Sequence, residues 1–354
     1  MPITNYSANL AALGVQTTEA ERRALGLKLF SGEVMNAFVD EVLTEGKVRT
    51  ITITDGISAQ FIQTGTVMGG FHSPGTAIAT QITKQQERVI SLDDILYAAT
   101  WWPMEYDLVG HIDTRGEYAR QAGIVLAHSK DTANFAELLK AARSAATIPG
   151  QTAAGSQIVS DKFKLSANAG VDGGAVDETE LAVAIFNAIF AAAELYDTKN
   201  VPFGQRYMAL KPYHYHLLVR TIMSQGFSLT NKDYMGMPAN INDATLPPIA
   251  GIQILKSNRV PYTNLTATGD ARGGTPNTNA ALPVHTNHVV DARKTIGIIW
   301  TPEAIGNVVR QGIATKSETQ LDFLGDLVVS MMLMGGGVLR PECAIELSLE
   351  NLSN

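Results

Sequence analysis

The stretch from His111 to Ser144, HIDTRGEYARQAGIVLAHSKDTANFAELLKAARS, constrains this chain more than any other. Tyr118, Ala122, Val125, Leu126, Ala133, Ala136 and Leu139 recur at helical spacing and form one apolar stripe. Thr114 followed by Glu117 is a capping-box start, and Lys140 and Arg143 put positive charge in the last turn, where it suits the helix dipole. The pattern predicts a single helix. At ~1.5 Å per residue it spans roughly 45 Å, longer than a typical globular helix, so it reads as a rod on which the rest is mounted.

Gly116 and Gly123 break the rule inside this rod. They stand one heptad apart, on the flank away from the apolar stripe and near Asn134. Each costs a helix interior up to ~1 kcal/mol relative to alanine. A bare outward strip lets another backbone approach closely; the other reading is loose helix termini or drift.

The remaining bounds come from size and charge. A chain of 354 residues can bury a large core in more than one subdomain. The formal net charge of -7 argues against gripping nucleic acid through bulk charge. Cys343 is the only cysteine, which excludes an intrachain disulfide and a cysteine-rich metal site. The first residues, MPITNYSANLAALG, lack the basic and apolar regions of a signal peptide. The most apolar run, Leu181 to Leu195, is short for a bilayer span and carries Asn187. These features predict a soluble protein made in a reducing cytoplasm, with no membrane partner.

Residues 1–17 read as an extended arm, followed by a helix from Thr18 to about Glu41 with Gly32 as a kink. Lys47 to Thr54 alternates and is β-branched, so it is a strand; Asp55-Gly56 signals a turn, and Ile57 to Thr64 resumes the strand pattern. Gly65 to Gln86 is rich in Gly, Thr and Gln around Pro74-Gly75, and Arg88 to Trp102 is strand-like again. Together these predict a long two-stranded arm with an open tip. An isolated hairpin is marginally stable, so it needs a partner on this chain or on a neighbour.

Beyond the rod, residues 147–177 read as a loop. Asp177 or Thr179 caps a second helix that is apolar nearly all round and therefore deeply buried. Strands are expected at 206–210, 249–256 and 296–300, and helices at 212–223 and 301–311, the last with Pro302 near its first turn. Residues 258–293 form a long Asn/Thr/Gly loop. Two strand-like runs, 320–334 and 338–349, flank Gly335-Gly336-Gly337.

No motif for chemistry emerges. Walker, dinucleotide-binding, G-x-S-x-G and H-E-x-x-H patterns are absent. His214 and His216 flank Tyr215 without a third ligand, and His285 and His288 lie three apart at a loop end; both pairs read as ordinary packed or exposed histidines. Asp93-Asp94 and Glu105/Asp107 offer paired carboxylates with no obvious partner base. Cys343 reads as a small buried residue. The expectation is a protein without catalytic, cofactor-binding or metal-binding residues.

Four segments, LKLFSGEVMNAF (27–38), GISAQFIQTG (56–65), HIDTRGEYARQAGIVLA (111–127) and MGGGVLRPECAIEL (334–347), carry a resemblance. Together and in this order they resemble the major capsid proteins of short-tailed double-stranded DNA phages, podoviruses of the autographivirus type, which use the HK97-type fold. The resemblance implies an α+β architecture: an N-terminal arm over 1–50, an extended β-hairpin loop over 51–100, and a peripheral domain with the spine helix over 101–177. An axial domain would follow over 178–311, with a return to the peripheral domain over 312–354.

It further implies a virion shell subunit that forms hexamers and pentamers of an icosahedral head, enclosing double-stranded DNA without sequence-specific binding. Assembly in the host cytoplasm with a portal protein at one vertex would follow. Only a short tail precedes the arm helix, which implies a separate scaffolding protein. Subunit contacts are expected at Phe71, His72, Pro74, Gly75 and Lys84 on the hairpin, and at Gly116 and Gly123 on the rod. Lys84 stands near the place where some relatives of the fold join subunits covalently, but no crosslink is expected here. Two other readings stay open: an encapsulin-like compartment of the same fold, and a soluble α+β enzyme with a substrate lid over 258–293.

Overall fold

Hydrophobic spacing decides most of the elements, and tertiary pairing overrules it in a few. The computed structural model describes residues 19–65, 69–75, 77, 85–103, 115–147, 153–163, 178–224, 246–266 and 284–352. In chain order these give α1 (Glu19–Glu41), β1 (Arg49–Thr52), β2 (Ser58–Thr64), β3 (Gln85–Ser91), β4 (Leu96–Pro103) and α2 (Arg115–Arg143). There follow β5 (Ser156–Val159), α3 (Glu178–Thr198), β6 (Arg206–Leu210), α4 (Pro212–Ser224) and β7 (Ile252–Lys256). A 3-10 turn (Thr286–His288), β8 (Thr295–Trp300), β9 (Ile305–Gln320), β10 (Gly325–Val338) and β11 (Ala344–Ser348) complete an α+β chain. Thr114, the expected cap of the rod, lies outside the described residues.

The chain divides into two compact units. One holds the described residues of Met1–Val42, Asp94–Lys130 and Gln311–Met334; the other holds Leu43–Asp93, Asp131–Arg310 and Gly335–Asn354. In the first, α1 packs on the N-terminal half of α2 through Val34, Phe38, Ala119, Ala122 and Leu126, with Met332, Leu96 and Ala98 joining from β10 and β4. β4 runs antiparallel to β10, from Leu96 opposite Met332 to Pro103 opposite Gly325. Strand alternation leaves Tyr97 and Trp101 exposed on the other side of β4.

The second unit is built on a five-stranded sheet of order β5-β11-β8-β6-β7. β8 is antiparallel to both neighbours, β6 and β11, while β5 and β7 add in parallel to β11 and β6. Every position of β6, β8 and β11 is buried, which explains why these strands read as runs rather than alternations. The C-terminal half of α2 with α3 and α4 closes the core around Phe135, Leu138, Leu181, Ile185, Met208, Ile298 and Trp300. Trp300 meets the Phe135 ring edge-on at 5.8 Å, and its indole N–H donates to the Lys47 carbonyl at 3.0 Å.

Polar anchors fix α2 in this unit. Asp131 accepts the backbone N–H groups of Leu43 and Thr44 at 2.9 and 3.0 Å, and the Thr44 hydroxyl at 2.6 Å. Arg143, in the last turn, forms a fork with Glu346 of β11 at 2.8 and 2.7 Å, both side chains fully buried.

Several expectations need correction. Residues 305–311 are strand, not helix: Ile305, Val308 and Val309 favour extended backbone, and β1 pairs in parallel with β9 from Arg49/Gly306 to Thr52/Val309. The helix α1 runs unbroken through Gly32. The strand-like run 88–102 is two strands: β3 stays with the hairpin, and β4 pairs with β10. The three glycines do not interrupt β10, which continues through them to Val338. A short strand, β5, lies inside the expected loop 147–177.

The helix α3 is not buried all round. Leu181, Ile185, Ile189 and Tyr196 face the core, while Phe190 is half exposed and stacks edge-on with Phe186 at 5.1 Å. By length and composition its 21 residues would pass for a membrane span, but its buried face builds the core instead.

Candidate assembly surface

The hairpin takes its shape from alternation. β2 and β3 pair antiparallel from Ser58 opposite Ser91 to Thr64 opposite Gln85, and the Leu92 N–H closes the root on the Ile57 carbonyl at 2.8 Å. Ala59, Phe61 and Ile90 face the body and pack with Val308 and Leu339. Gln63 shares that side and donates its amide to the Leu339 carbonyl at 2.7 Å, while the Arg49 guanidinium lies over the Phe61 ring at 5.5 Å. The other side carries apolar residues with nothing over them: Ile62 is 73% exposed and Val89 55%.

Toward the tip, residues 69–75 are all exposed, and Phe71 is fully so. Gly75 adopts φ +91°, a left-handed conformation that favours glycine and lets Pro74-Gly75 turn the chain. Phe71, His72, Pro74 and Gly75 are all exposed in the segment between β2 and β3; Lys84 lies outside the described residues. A bare aromatic just before this turn is a ready anchor, since burying such a side chain stabilises a contact by about 1.5–3 kcal/mol.

The rod glycines are placed differently from the expectation. Gly123 is buried, and a Cβ there would lie 2.4 Å from the Val34 carbonyl oxygen and 2.9 Å from the Ala37 Cβ. The close backbone approach exists, but the backbone is that of α1 in the same chain, so Gly123 is no outward contact. A Cβ on Gly116 would first meet the flexible Glu33 carboxylate, 3.0 Å away.

The structure also joins two groups that the sequence presented separately. His288 Nε2 lies 2.6 Å from Asp93 Oδ2, and its Nδ1 lies 3.0 Å from Glu137 Oε1. Burial opposes charge on this ring, but the hydrogen bonds and charges of the two carboxylates outweigh it and hold its pKa up to about 9. Burial likewise opposes charge on Asp93, and the His288 hydrogen bond and charge lower its pKa in spite of it. With both ring nitrogens donating, the imidazole has no lone pair free to act as a base. No local signal links Asp93 to His288, since 195 residues separate them.

Two further buried groups, Cys343 and His214, are also poorly suited to catalysis. Burial pushes the Cys343 thiol up to about 11, away from the reactive thiolate. Burial first, and Lys211 second, hold His214 down at about 4 and therefore neutral. Among the described residues no group of His, Cys, Asp or Glu is arranged to hold a metal ion.

Comparison with known proteins decides what such a chain is. Residues 60–348 match the family model described as Gp10A-like major capsid protein. The chain belongs to that family. The major capsid protein of Escherichia phage T7 is 26% identical over 351 residues, covering 96% of this chain and 94% of that one. That of Enterobacteria phage T3 is 25% identical over 345 residues, 96% of each. The capsid structure of cyanophage P-SCSP1u is similar with a TM-score of 0.67 at 30% identity, covering 88% of this chain and 89% of that chain. The mature capsid of bacteriophage PhiM1 gives a TM-score of 0.64 at 20% identity over 88% of each chain. The fold is therefore of the HK97 type, and this Gp10A-like chain is a phage major capsid protein, structural rather than enzymatic.

Proposed function

We propose that many copies of this subunit form hexamers and pentamers that close an icosahedral head around double-stranded DNA. The hairpin β2–β3, within the extended loop 51–100, lies across an adjacent subunit. Residues 1–50 supply an arm, 101–177 and 312–354 the peripheral part, and 178–311 the axial part. The observation that carries this reading is the uncovered segment 69–75 between β2 and β3, in which Phe71 is fully exposed. Specific interfaces bury about 1,200–2,000 Å² in all, and a projecting two-stranded arm supplies such area without enlarging the body.

Assembly takes place in the host cytoplasm with a separate scaffolding protein, and a portal protein occupies one vertex of the finished virion. The net charge of -7 suits a container that confines DNA without gripping it, so the genome leaves without a strong electrostatic hold. The family match favours this phage shell over the encapsulin-like compartment.

Deletion of 72–83 tests the reading. The subunits should fold and then stop at monomers or capsomers in negative-stain images, alone or with the scaffolding protein. Closed heads at the usual yield would show that the hairpin is not the clamp between subunits.

A further inference from the structure

The cluster at the hairpin root is more elaborate than packing requires. Asp93 directly follows Leu92, whose N–H closes the root on Ile57, while Glu137 stands on α2 and His288 ends the 3-10 turn. The turn is itself held: its cap His285 accepts the Asn287 N–H through Nδ1 at 3.2 Å, and the Asn287 amide donates to Asp93 Oδ1 at 2.7 Å. Lys140 donates to Glu137 Oε1 at 2.9 Å and also to the Asn287 carbonyl. Two carboxylates thus meet an imidazolium and an ammonium.

A second feature fixes the same stretch of chain. β10 is glycine for three residues just where the outgoing hairpin strand crosses it. A Cβ on Gly335 would sit 2.1 Å from the Ser91 carbonyl oxygen, and one on Gly337 would sit 3.1 Å from Ile90 Cγ1. A Cβ on Gly336 would approach His288 Cε1 at 3.5 Å and Glu137 Cγ at 3.7 Å. The strand leaving the hairpin therefore lies on bare backbone, with the charged cluster beside it.

Apolar residues of similar volume stabilise a core as well as buried ions do, or better. What they lack is direction, because hydrogen bonds to a flat ring fix where each carboxylate stands. We propose that Asp93, His288 and Glu137 are positioning residues, a latch that holds the outgoing hairpin strand on its glycine bed and sets the direction in which the hairpin projects toward a neighbouring copy. This rests on the reading of the hairpin as the inter-subunit clamp.

The test uses the full chain with His288→Gln, Asp93→Ala and Asp93→Asn, and with Phe71→Ser as the comparison. Hydrogen exchange on unassembled subunits should quicken about tenfold at Ile90–Asp93 in His288→Gln and Asp93→Ala, with β8 amides unchanged. Shell yield with scaffolding protein should fall in both. Asp93→Asn, which keeps an acceptor oxygen for the imidazole N–H, should restore much of it. Unchanged exchange at 90–93 in folded variants overturns the latch. Faster exchange with normal shells, while Phe71→Ser still blocks assembly, overturns its positioning role. Normal shells from Phe71→Ser strike instead at the reading of the hairpin, which the exchange result does not touch. Should His288→Gln fail to fold, the comparison of Asp93→Ala with Asp93→Asn decides alone.

Discussion

A Cβ placed on Gly123 would sit 2.4 Å from the carbonyl oxygen of Val34, so α2 and α1 meet backbone to backbone. Neither backbone can yield as a flexible side chain would. Gly123→Ala gains up to ~1 kcal/mol in helix propensity but costs about 1–3 kcal/mol in overpacking, so the net effect is a loss. Gly32→Ala, on the exposed side of α1 with nothing within 4 Å of its Cβ, should instead stabilise by about 0.5–1 kcal/mol. Urea midpoints of the unassembled variants check the opposite signs.

Two buried histidines should lower the stability of the subunit on either side of about pH 6.5. His288 has its pKa raised from 6.5 to about 9, so its contribution is complete below 6.5 and is lost as pH rises through 9. The groups facing it are Asp93 and Glu137, with Lys140 and His285 beside them. His214 has its pKa lowered from 6.5 to about 4, so its contribution is complete above 6.5 and is lost as pH falls toward 4. Each limb is worth roughly 3 kcal/mol at most, at ~1.4 kcal/mol per pKa unit. His288→Gln should flatten the alkaline limb and leave the acid limb in place, as read from urea denaturation at a series of pH values.

The fork between Arg143 and Glu346 is fully buried on both sides, so losing one partner leaves an uncompensated charge. Glu346→Leu alone should cost about 3–5 kcal/mol, whereas Arg143→Met with Glu346→Leu should recover most of it. A double-mutant cycle in denaturant measures the coupling.

The tip should behave as surface in the free subunit and as core in the shell. Phe71→Ser is expected to change the denaturation midpoint of the subunit by no more than about 0.5 kcal/mol. The same substitution should weaken association about tenfold or more at each contact, read as a raised critical concentration for shell formation.

What could be read from the sequence depended on whether the signal was local. Helical spacing gave the rod, and alternation with Pro74-Gly75 gave the hairpin and its tip, because each pattern is complete within one segment. Residues 305–311 misled because their strand depends on β1, more than two hundred residues earlier. Gly335 to Gly337 looked like a break because glycine is read locally as a turn, whereas here its missing Cβ admits the Ser91 carbonyl. Gly123 signalled a close approach correctly, but no spacing rule says which backbone comes. The charged cluster was invisible for the same reason: Asp93 and His288 each look ordinary until the fold brings them together.

A cryo-EM map of the assembled particle would show where the hairpin goes. In that map Phe71, Ile62 and Val89, all exposed in the free subunit, should lie covered by an adjacent copy. A map in which these residues stay in solvent, or fold back on their own subunit, would contradict it.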